Sequence, residues 1–280
     1  MMTLGTKTVN TWCPGCGNFA ILNAIKTVLG ALTEEGLPVE NIVLVSGIGC
    51  HAKIVDYVNT NSFYSLHGRV FPAATGMKVA RPELTVIGHA GDGDAYGEGL
   101  EHLIFAAKRN VDITAIIHDN RVYGLTTGQY TPTSPAGFKG RSTPFGTKEL
   151  PFNPLALMLA SGATFIARGT SHGIDLLKKL FREAILHKGF SIVDVLQVCV
   201  TYYNMYEYYE KRVYELKDHD PEDFNAAGRK IREWDYNNDG KIAIGVFYTK
   251  DAPTFEKSFP STGTTEDRGQ KIRELLKDSI

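Results

Sequence analysis

The sequence contains few cysteines and tryptophans and no long apolar run. Only four cysteines and two tryptophans occur among its 280 residues. No apolar stretch approaches the roughly 20 residues that a membrane helix needs, and the first ten residues lack the apolar core of a signal peptide. We therefore predict a cytoplasmic protein with no membrane partner, whose reduced thiols suit metal binding or catalysis better than disulfides.

The sequence also lacks an excess of positive or negative charge. The formal net charge is -1 and 22% of the residues are charged. This balance indicates neither a nucleic-acid partner nor a membrane surface. The hydrophobic fraction of 43% is typical of a globular chain with enough apolar residues for a large core.

Short apolar runs alternate with amphipathic stretches along most of the chain. The runs are rich in β-branched residues and predict buried strands at 42–45, 84–87, 113–117, 164–167, 192–196 and 242–247. The stretches between them predict helices at 18–32, 73–80, 97–108, 153–160 and 173–187. This alternation predicts an α/β fold with a doubly wound, mostly parallel sheet.

Two regions depart from the alternation. Residues 120–150 are rich in glycine, threonine, serine and proline, and a loop of this length is usually functional. Residues 202–240 are rich in tyrosine and charge, and we expect them to be helical or irregular. They would cover the site, contact a partner, or form an exposed excursion. We predict a site-bearing domain over 1–200 and an extension over 201–280, packed on that domain or on a partner.

A phosphate and metal site is predicted where a buried strand meets Gly91-Asp92-Gly93-Asp94. Ligands of open α/β sheets bind at the carboxyl ends of strands, and glycines allow a phosphate to approach the backbone. Asp92 would share Mg²⁺ with the phosphates, and Asn120, after the next strand, and the Val122 carbonyl would add oxygen ligands. A tight turn followed by an Asx turn is the structural alternative.

The cysteines are spaced so that four thiolates can act together. Cys13 and Cys16 form a Cys-Pro-Gly-Cys segment, Cys50 follows the first strand, and Cys199 follows the strand at 192–196. A redox disulfide in the first pair would leave the other two without a role, and structural zinc commonly uses two Cys-x-x-Cys segments. The spacing favours an iron–sulfur cluster but leaves zinc and unrelated buried thiols open.

These motifs resemble those of a known family. Gly91-Asp-Gly93 followed by Asp119-Asn120 is similar to the signature of the thiamine diphosphate (ThDP) enzymes, although Asp119 replaces the first asparagine of their pair. With the cysteines included, the chain resembles the β subunit of the 2-oxoacid:ferredoxin oxidoreductases. The resemblance runs through residues 12–18, 47–50, 66–69, 91–94 and 119–126, and includes Cys199.

The resemblance implies an α/β sheet of the ThDP diphosphate-binding type and an obligate assembly. An α subunit, or α and γ subunits, would complete the site and supply the activating glutamate. It further implies CoA and ferredoxin as cosubstrates, and 2-oxoglutarate or pyruvate as the 2-oxoacid. ThDP acts as an electron sink during decarboxylation, so a nearby cluster could accept the released electrons.

The resemblance also assigns residues. The [4Fe–4S] ligands would be Cys13, Cys16, Cys50 and Cys199, and the Mg²⁺ ligands Asp92, Asn120 and Val122. Apart from the resemblance, Lys53 and His51 follow Cys50 closely, and one of them, with Lys53 as the candidate, could face a substrate carboxylate; a solvated helix face is the alternative. Thr126, Thr127 and Gln129 lie in the long loop and could contact a cofactor or partner. The expected cofactor contacts are Ile48, Gly49, His67, Gly68, Arg69, Gly91, Asp92, Gly93, Asp94, Asn120, Val122, Tyr123, Gly124, Leu125 and Thr126.

Two other interpretations remain open from the sequence. A non-redox ThDP decarboxylase or synthase subunit with a structural zinc site would keep the Gly-Asp-Gly and asparagine pattern but would not need a cluster. A zinc-bound scaffold subunit without catalysis would bind no ThDP.

Overall fold

The computed structural model describes residues 4–259 and 265–277. In chain order the described helices are α1 (Asn18–Glu34), α2 (Ile54–Tyr57), α3 (Val70–Ala80), α4 (Leu100–Arg109), α5 (Pro154–Ser161), α6 (Ile174–Leu186), α7 (Tyr206–Arg212), α8 (Phe224–Ile231) and α9 (Thr265–Lys277). The described strands are β1 (Ile42–Ser46), β2 (Asn61–Tyr64), β3 (Thr85–Gly91), β4 (Thr114–Asp119), β5 (Phe165–Thr170), β6 (Ser191–Leu196), β7 (Val213–Glu215) and β8 (Ile242–Thr249).

The strands form a single eight-stranded sheet in the order β2-β1-β3-β4-β6-β5-β8-β7. Pairing is parallel from β2 through to β5, β8 runs antiparallel to β5, and β7 is parallel to β8. The predicted mostly parallel α/β sheet is confirmed. The chain goes from β1 outward to β2 and returns to β3 on the other side of β1, so the winding direction reverses between β1 and β3.

Each predicted strand and helix is present, with its ends shifted by a few residues. The largest shift is in β3, which continues to Gly91 instead of stopping at residue 87. β2 and β7 were not predicted, because all four residues of β2 are exposed and β7 has three residues, so neither leaves an apolar pattern. Pro154 opens α5, and Gly162 ends it with a left-handed φ of 91°.

Helices cover both faces of the sheet and bury two apolar cores. One core includes Phe71 of α3, Leu103 of α4 and Leu155 of α5. The other includes Ile25 of α1 and Phe181 of α6. Burial on both faces explains why the central strands read as continuous apolar runs. No helix in the described ranges is both long enough and apolar enough to cross a bilayer.

The tyrosine-rich region is helical and is not an exposed excursion. It supplies α7, α8 and a third core that includes Tyr209, Trp234 and Tyr236, each at most 1% exposed. After it, β8 joins the main sheet, and Thr254 and Glu256 of the following segment are buried. The extension predicted over 201–280 includes residues 260–264 and 278–280, which lie outside the described residues. The domain boundary at residue 200 stays a prediction.

Shortening a core side chain of α6 should destabilise the fold. Phe181 is fully buried, so we expect Phe181→Ala to lower the free energy of unfolding by about 3–5 kcal/mol. Leu186, on the same helix, is 51% exposed, and Leu186→Ala should change that free energy by less than about 0.5 kcal/mol. Urea unfolding followed by circular dichroism measures both, and equal losses would contradict the described packing.

Candidate active site

The carboxyl ends of four neighbouring strands form one edge of the sheet. Cys50 follows β1, Asp92 follows β3, Asn120 follows β4, and Gln197 and Cys199 follow β6. Because β1, β3, β4 and β6 are parallel neighbours, these segments all open on the same side. The reversal of winding between β1 and β3 also places a crevice there.

A small cavity of about 70 Å³ lies in this crevice. Its lining contains every expected cofactor contact except Gly68 and Arg69, together with Cys50 and His51. Arg69 is exposed, and its guanidinium donates to the carbonyl oxygens of Gly68 and Glu98 at 3.2 and 3.0 Å. The structure therefore brings together residues from the segments after β1, β3 and β4, and places Arg69 outside the cavity.

The two glycines of the Gly-Asp-Gly segment are in close contact with aromatic rings. A Cβ atom at Gly93 would lie 2.1 Å from Tyr123 Cε1, and one at Gly91 would lie 2.9 Å from His51 Nδ1. Side chains at these positions would collide with those rings. The glycines thus permit tight packing of Tyr123 and His51, and the expected approach of a phosphate to them stays a prediction.

Asp94 is engaged by groups from two other loops. Its carboxylate lies 3.2 Å from His51 Nε2 and 3.0 Å from His67 Nδ1, and the Gly68 N–H donates to Oδ1. Burial alone would raise the pKa of Asp94, but these contacts outweigh it and lower the pKa to about 2. Contact with Asp94 in turn raises the pKa of His67. Asp94 is therefore an ionised anchor that joins the loops lining the cavity.

Asp92 is linked to Asp119 through Thr133. The Thr133 hydroxyl lies 2.8 Å from Asp92 Oδ2 and 2.9 Å from Asp119 Oδ1, and all three residues are buried. One hydroxyl proton cannot serve both carboxylates, so the network needs a further proton on one aspartate. Burial raises the pKa of Asp92 to about 6 and raises that of Asp119, which is consistent with this sharing.

Arg121 anchors the turn that carries the other two expected metal ligands. Its backbone is left-handed, with φ 60°, and its side chain is 2% exposed. Its Nε donates to the Thr133 carbonyl at 2.7 Å, and its guanidinium carbon lies 5.3 Å from the Trp234 ring centroid. The turn is closed by a 3.0 Å hydrogen bond from the Val122 N–H to Asn120 Oδ1. Asn120 and Val122 are thereby held at the cavity beside Asp92.

A second cavity, of about 340 Å³, is lined by all four cysteines. The cysteines are free thiols; Cys13 is exposed and the other three are partly buried. The two cavities share Cys50, Asn120, Gly124 and Leu125 in their linings. A Cβ atom at Gly124 would lie 3.6 Å from Cys199 Sγ and 3.7 Å from Cys50 Sγ, so a glycine brings the backbone close to both sulfurs.

The thiols influence one another electrostatically. Burial raises the pKa of Cys16 to about 11, and the charges of the other three cysteines raise it as well. Burial also raises the pKa of Cys50, followed by the charges of Cys199 and Cys13. Within residues 4–259 and 265–277, no three histidine, cysteine, aspartate or glutamate side chains are grouped so that they could hold a metal ion. All four cysteines nevertheless line the same cavity.

Lys53 and His51 occupy different environments. Lys53 lines the thiol cavity, and its Nζ donates to Thr11 Oγ1 at 2.6 Å. His51 is 5% exposed and is packed against Asp94, so it does not lie on a solvated helix face.

Sequence reasoning missed several residues of the site. Thr133 and Gln197 are buried beside the expected metal ligands, and the Trp12 indole N–H donates to the Cys50 carbonyl at 2.6 Å. Thr133 lies in an irregular segment that has no periodic pattern. Trp12 directly precedes Cys13, and Gln197 lies two residues before Cys199. This proximity in sequence was the signal that could have marked both as site residues.

Comparisons with known proteins identify the family. Residues 47–195 match the family described as thiamine pyrophosphate enzyme, C-terminal TPP binding domain, and residues 199–263 match the C-terminal region of the pyruvate ferredoxin oxidoreductase beta subunit. A 2-oxoacid:ferredoxin oxidoreductase subunit beta from a Sulfolobus species is 43% identical over 273 residues, covering 91% of this chain and 87% of the relative. This chain is a β subunit of the 2-oxoacid:ferredoxin oxidoreductase family.

Two other similarities support the same family assignment. A 2-oxoglutarate synthase subunit KorB from Methanothermobacter marburgensis is 36% identical, covering 93% of this chain and 90% of the relative. The solved 2-oxoglutarate:ferredoxin oxidoreductase from Magnetococcus marinus superposes with a TM-score of 0.86 at 35% identity, covering 98% of this chain and 89% of that one. The predicted family, fold and oxidoreductase class are confirmed, and the non-redox alternative is disfavoured.

Removing the Thr133 hydroxyl should destabilise the β subunit. Thr133→Val leaves Asp92 and Asp119 without their shared partner, so we expect a loss of about 1–3 kcal/mol in the free energy of unfolding. Thr133→Ser keeps the hydroxyl, so its decrease in the free energy of unfolding should be clearly smaller. Chemical denaturation of the purified chain gives both values, and similar losses for the two variants would show that the hydroxyl bridge is unimportant.

Proposed function

We propose that this β subunit, together with an α subunit, oxidatively decarboxylates a 2-oxoacid, with ThDP, Mg²⁺ and a [4Fe–4S] cluster bound at the two cavities. The 2-oxoacid and CoA would give an acyl-CoA and CO₂, and the two released electrons would reduce ferredoxin. The observation that carries the proposal is that the four thiols and the candidate Mg²⁺ ligands line two cavities with a common wall. The reduced thiols are also consistent with a cytoplasmic enzyme.

The smaller cavity suits the diphosphate end of ThDP. The Asp92 carboxylate, the Asn120 amide oxygen and the Val122 carbonyl would hold Mg²⁺, which prefers oxygen ligands and is commonly shared with phosphates. Thr133 and Arg121 would keep these ligands in place, since both are buried and hydrogen-bonded to the ligand-bearing segments. Mg²⁺ would require the ionised form of Asp92.

The size of this cavity supports the need for a partner. Pockets that enclose a drug-sized ligand measure about 300–1,000 Å³, whereas the diphosphate cavity measures about 70 Å³. This chain would therefore hold only one end of ThDP. The α subunit would enclose the rest and supply the carboxylate that activates the cofactor.

The larger cavity suits an iron–sulfur cluster better than a zinc ion. Structural zinc commonly uses two Cys-x-x-Cys segments and this chain has one, whereas a cluster can be held by cysteines that are dispersed along the chain. Four neighbouring thiolates would repel one another, and a cationic iron core between them would compensate this repulsion. Cys13, Cys16, Cys50 and Cys199 would be its ligands.

Bound together, ThDP would supply an electron sink for decarboxylation and the cluster a one-electron acceptor. This chain would place them on either side of a common wall to which Cys50, Asn120, Gly124 and Leu125 contribute. Lys53 could pair with a substrate carboxylate at the rim of the thiol cavity. Among 2-oxoacids we favour 2-oxoglutarate over pyruvate, because two of the compared relatives carry 2-oxoglutarate in their names.

Metal analysis tests the cluster. Anaerobically purified protein should contain about four iron atoms per chain and absorb broadly in the visible range. Replacing Cys199, as Cys199→Ala, should abolish or sharply reduce the iron content while Mg²⁺-dependent ThDP binding persists. Stoichiometric zinc without iron in the unmodified protein would refute the redox proposal.

Turnover by the isolated chain tests the partner requirement. Supplied with ThDP, Mg²⁺, CoA and an electron acceptor, the β subunit alone should release no CO₂ from 2-oxoglutarate or pyruvate above the no-enzyme control. Adding the α subunit should restore CO₂ release, measured with a carboxyl-labelled substrate. Decarboxylation by the chain alone would contradict the proposed division of the site.

A further inference from the structure

Gln197 lies between the two cavities and is 1% exposed. It is the first residue after β6, and its backbone N–H donates to the Asp119 carbonyl at 2.9 Å. Its side chain lines the thiol cavity. A Cβ atom at Gly17 would lie 3.0 Å from Gln197 Cγ, so the amide is confined against the loop that carries Cys16.

The amide of Gln197 contacts one candidate ligand of each cofactor site. Its Oε1 accepts a hydrogen bond from Asn120 Nδ2 at 3.0 Å. Its Nε2 donates to Cys16 Sγ at 3.6 Å and to the Val198 carbonyl. The two N–H groups and the oxygen of this side chain are therefore all used, and one rigid group connects Asn120 to Cys16.

The orientation of the amide follows from a backbone donor. The Val122 N–H can only donate, so the atom of Asn120 that faces it must be Oδ1. Asn120 Nδ2 then faces Gln197, whose facing atom must be the acceptor Oε1. The remaining atom, Nε2, must point to Cys16 and Val198. The geometry of the turn at Asn120 thus determines which end of Gln197 meets the thiol.

We propose that Gln197 is a positioning residue that couples the two sites, raising the reduction potential of the cluster through its N–H···S bond to Cys16 while holding Asn120 through Oε1. This inference rests on the proposed function. Hydrogen bonds to cluster sulfurs help to set reduction potential, because they stabilise the more negative reduced form. The backbone N–H of Asn18 also donates to Cys16 Sγ. The hydrogen bond from Gln197 is therefore the second one that this sulfur accepts.

Two substitutions separate the two contacts. Gln197→Met preserves the length and neutrality of the side chain but removes both its donor and its acceptor. Gln197→Glu removes the donor to Cys16 and retains an acceptor for Asn120. Gln270 of α9 is exposed and far along the chain from either set of ligands, so Gln270→Met is the control.

The test uses the anaerobically purified complex of this chain with its α subunit. Iron content is measured first, then the cluster potential by redox titration followed with electron paramagnetic resonance, and ThDP affinity by titration at fixed Mg²⁺. At a fixed ambient potential, Gln197→Met should lower the reduced-to-oxidised ratio of the cluster about tenfold, equivalent to 59 mV for one electron. Its ThDP affinity should fall about tenfold, because Asn120 Nδ2 loses its acceptor.

Gln197→Glu should also lower the potential, but its ThDP affinity should stay within about threefold of the unmodified complex, since an acceptor remains. Gln270→Met should match the unmodified complex in both measurements. An unchanged potential in Gln197→Met, or loss of its iron, overturns the proposal, because a tuning residue leaves ligation intact. If Gln197→Met does not fold, an unchanged potential in Gln197→Glu overturns it. Absence of iron from the unmodified complex would instead overturn the proposed function.

Discussion

Parallel pairing of β1, β3, β4 and β6 is the constraint on which the site depends. Their four following segments are far apart in sequence, yet parallel strands must end at the same edge of the sheet. The strand pairing therefore brings Cys50, Asp92, Asn120 and Cys199 to one edge of the sheet. Two apolar cores, one on each face, stabilise this pairing, so the position of the site is determined by packing that lies away from it.

The same arrangement buries polar groups beneath the edge, and three of them form a hydrogen-bonded chain. His89 Nδ1 lies 3.0 Å from His118 Nε2, and His118 Nδ1 lies 2.8 Å from Asn18 Oδ1. Burial lowers the pKa of His89 to about 3 and that of His118 well below its usual range, so both rings are neutral. Neutral imidazoles can alternate as donor and acceptor, which makes a buried polar chain tolerable. The hydrogen-bonded chain ends at Asn18, two residues after Cys16. Both residues line the thiol cavity, so this chain connects the buried core to that cavity.

The central strands, the family and helices α1, α3, α4, α5 and α6 could be predicted, because burial on both faces leaves long apolar and amphipathic patterns. Edge elements could not, since an exposed strand such as β2 carries no such pattern. The packing of His51 against Gly91 and of Tyr123 against Gly93 could not be predicted, because these contacts join separate loops. Thr133 could not be found either, because its contacts to two aspartates depend on the path of an irregular loop.

The sequence by itself determined which residue types lie at the strand ends. The alternation of predicted strands and helices locates those ends, and the residues there supply the thiols and the oxygen ligands. Only the tertiary structure decided that the two cavities share a wall, that Asp94 is held by His51 and His67, and that Gln197 joins Asn120 to Cys16. The physical reason is that these contacts join residues distant in sequence. Strand order and loop path bring such residues together, and local patterns encode neither.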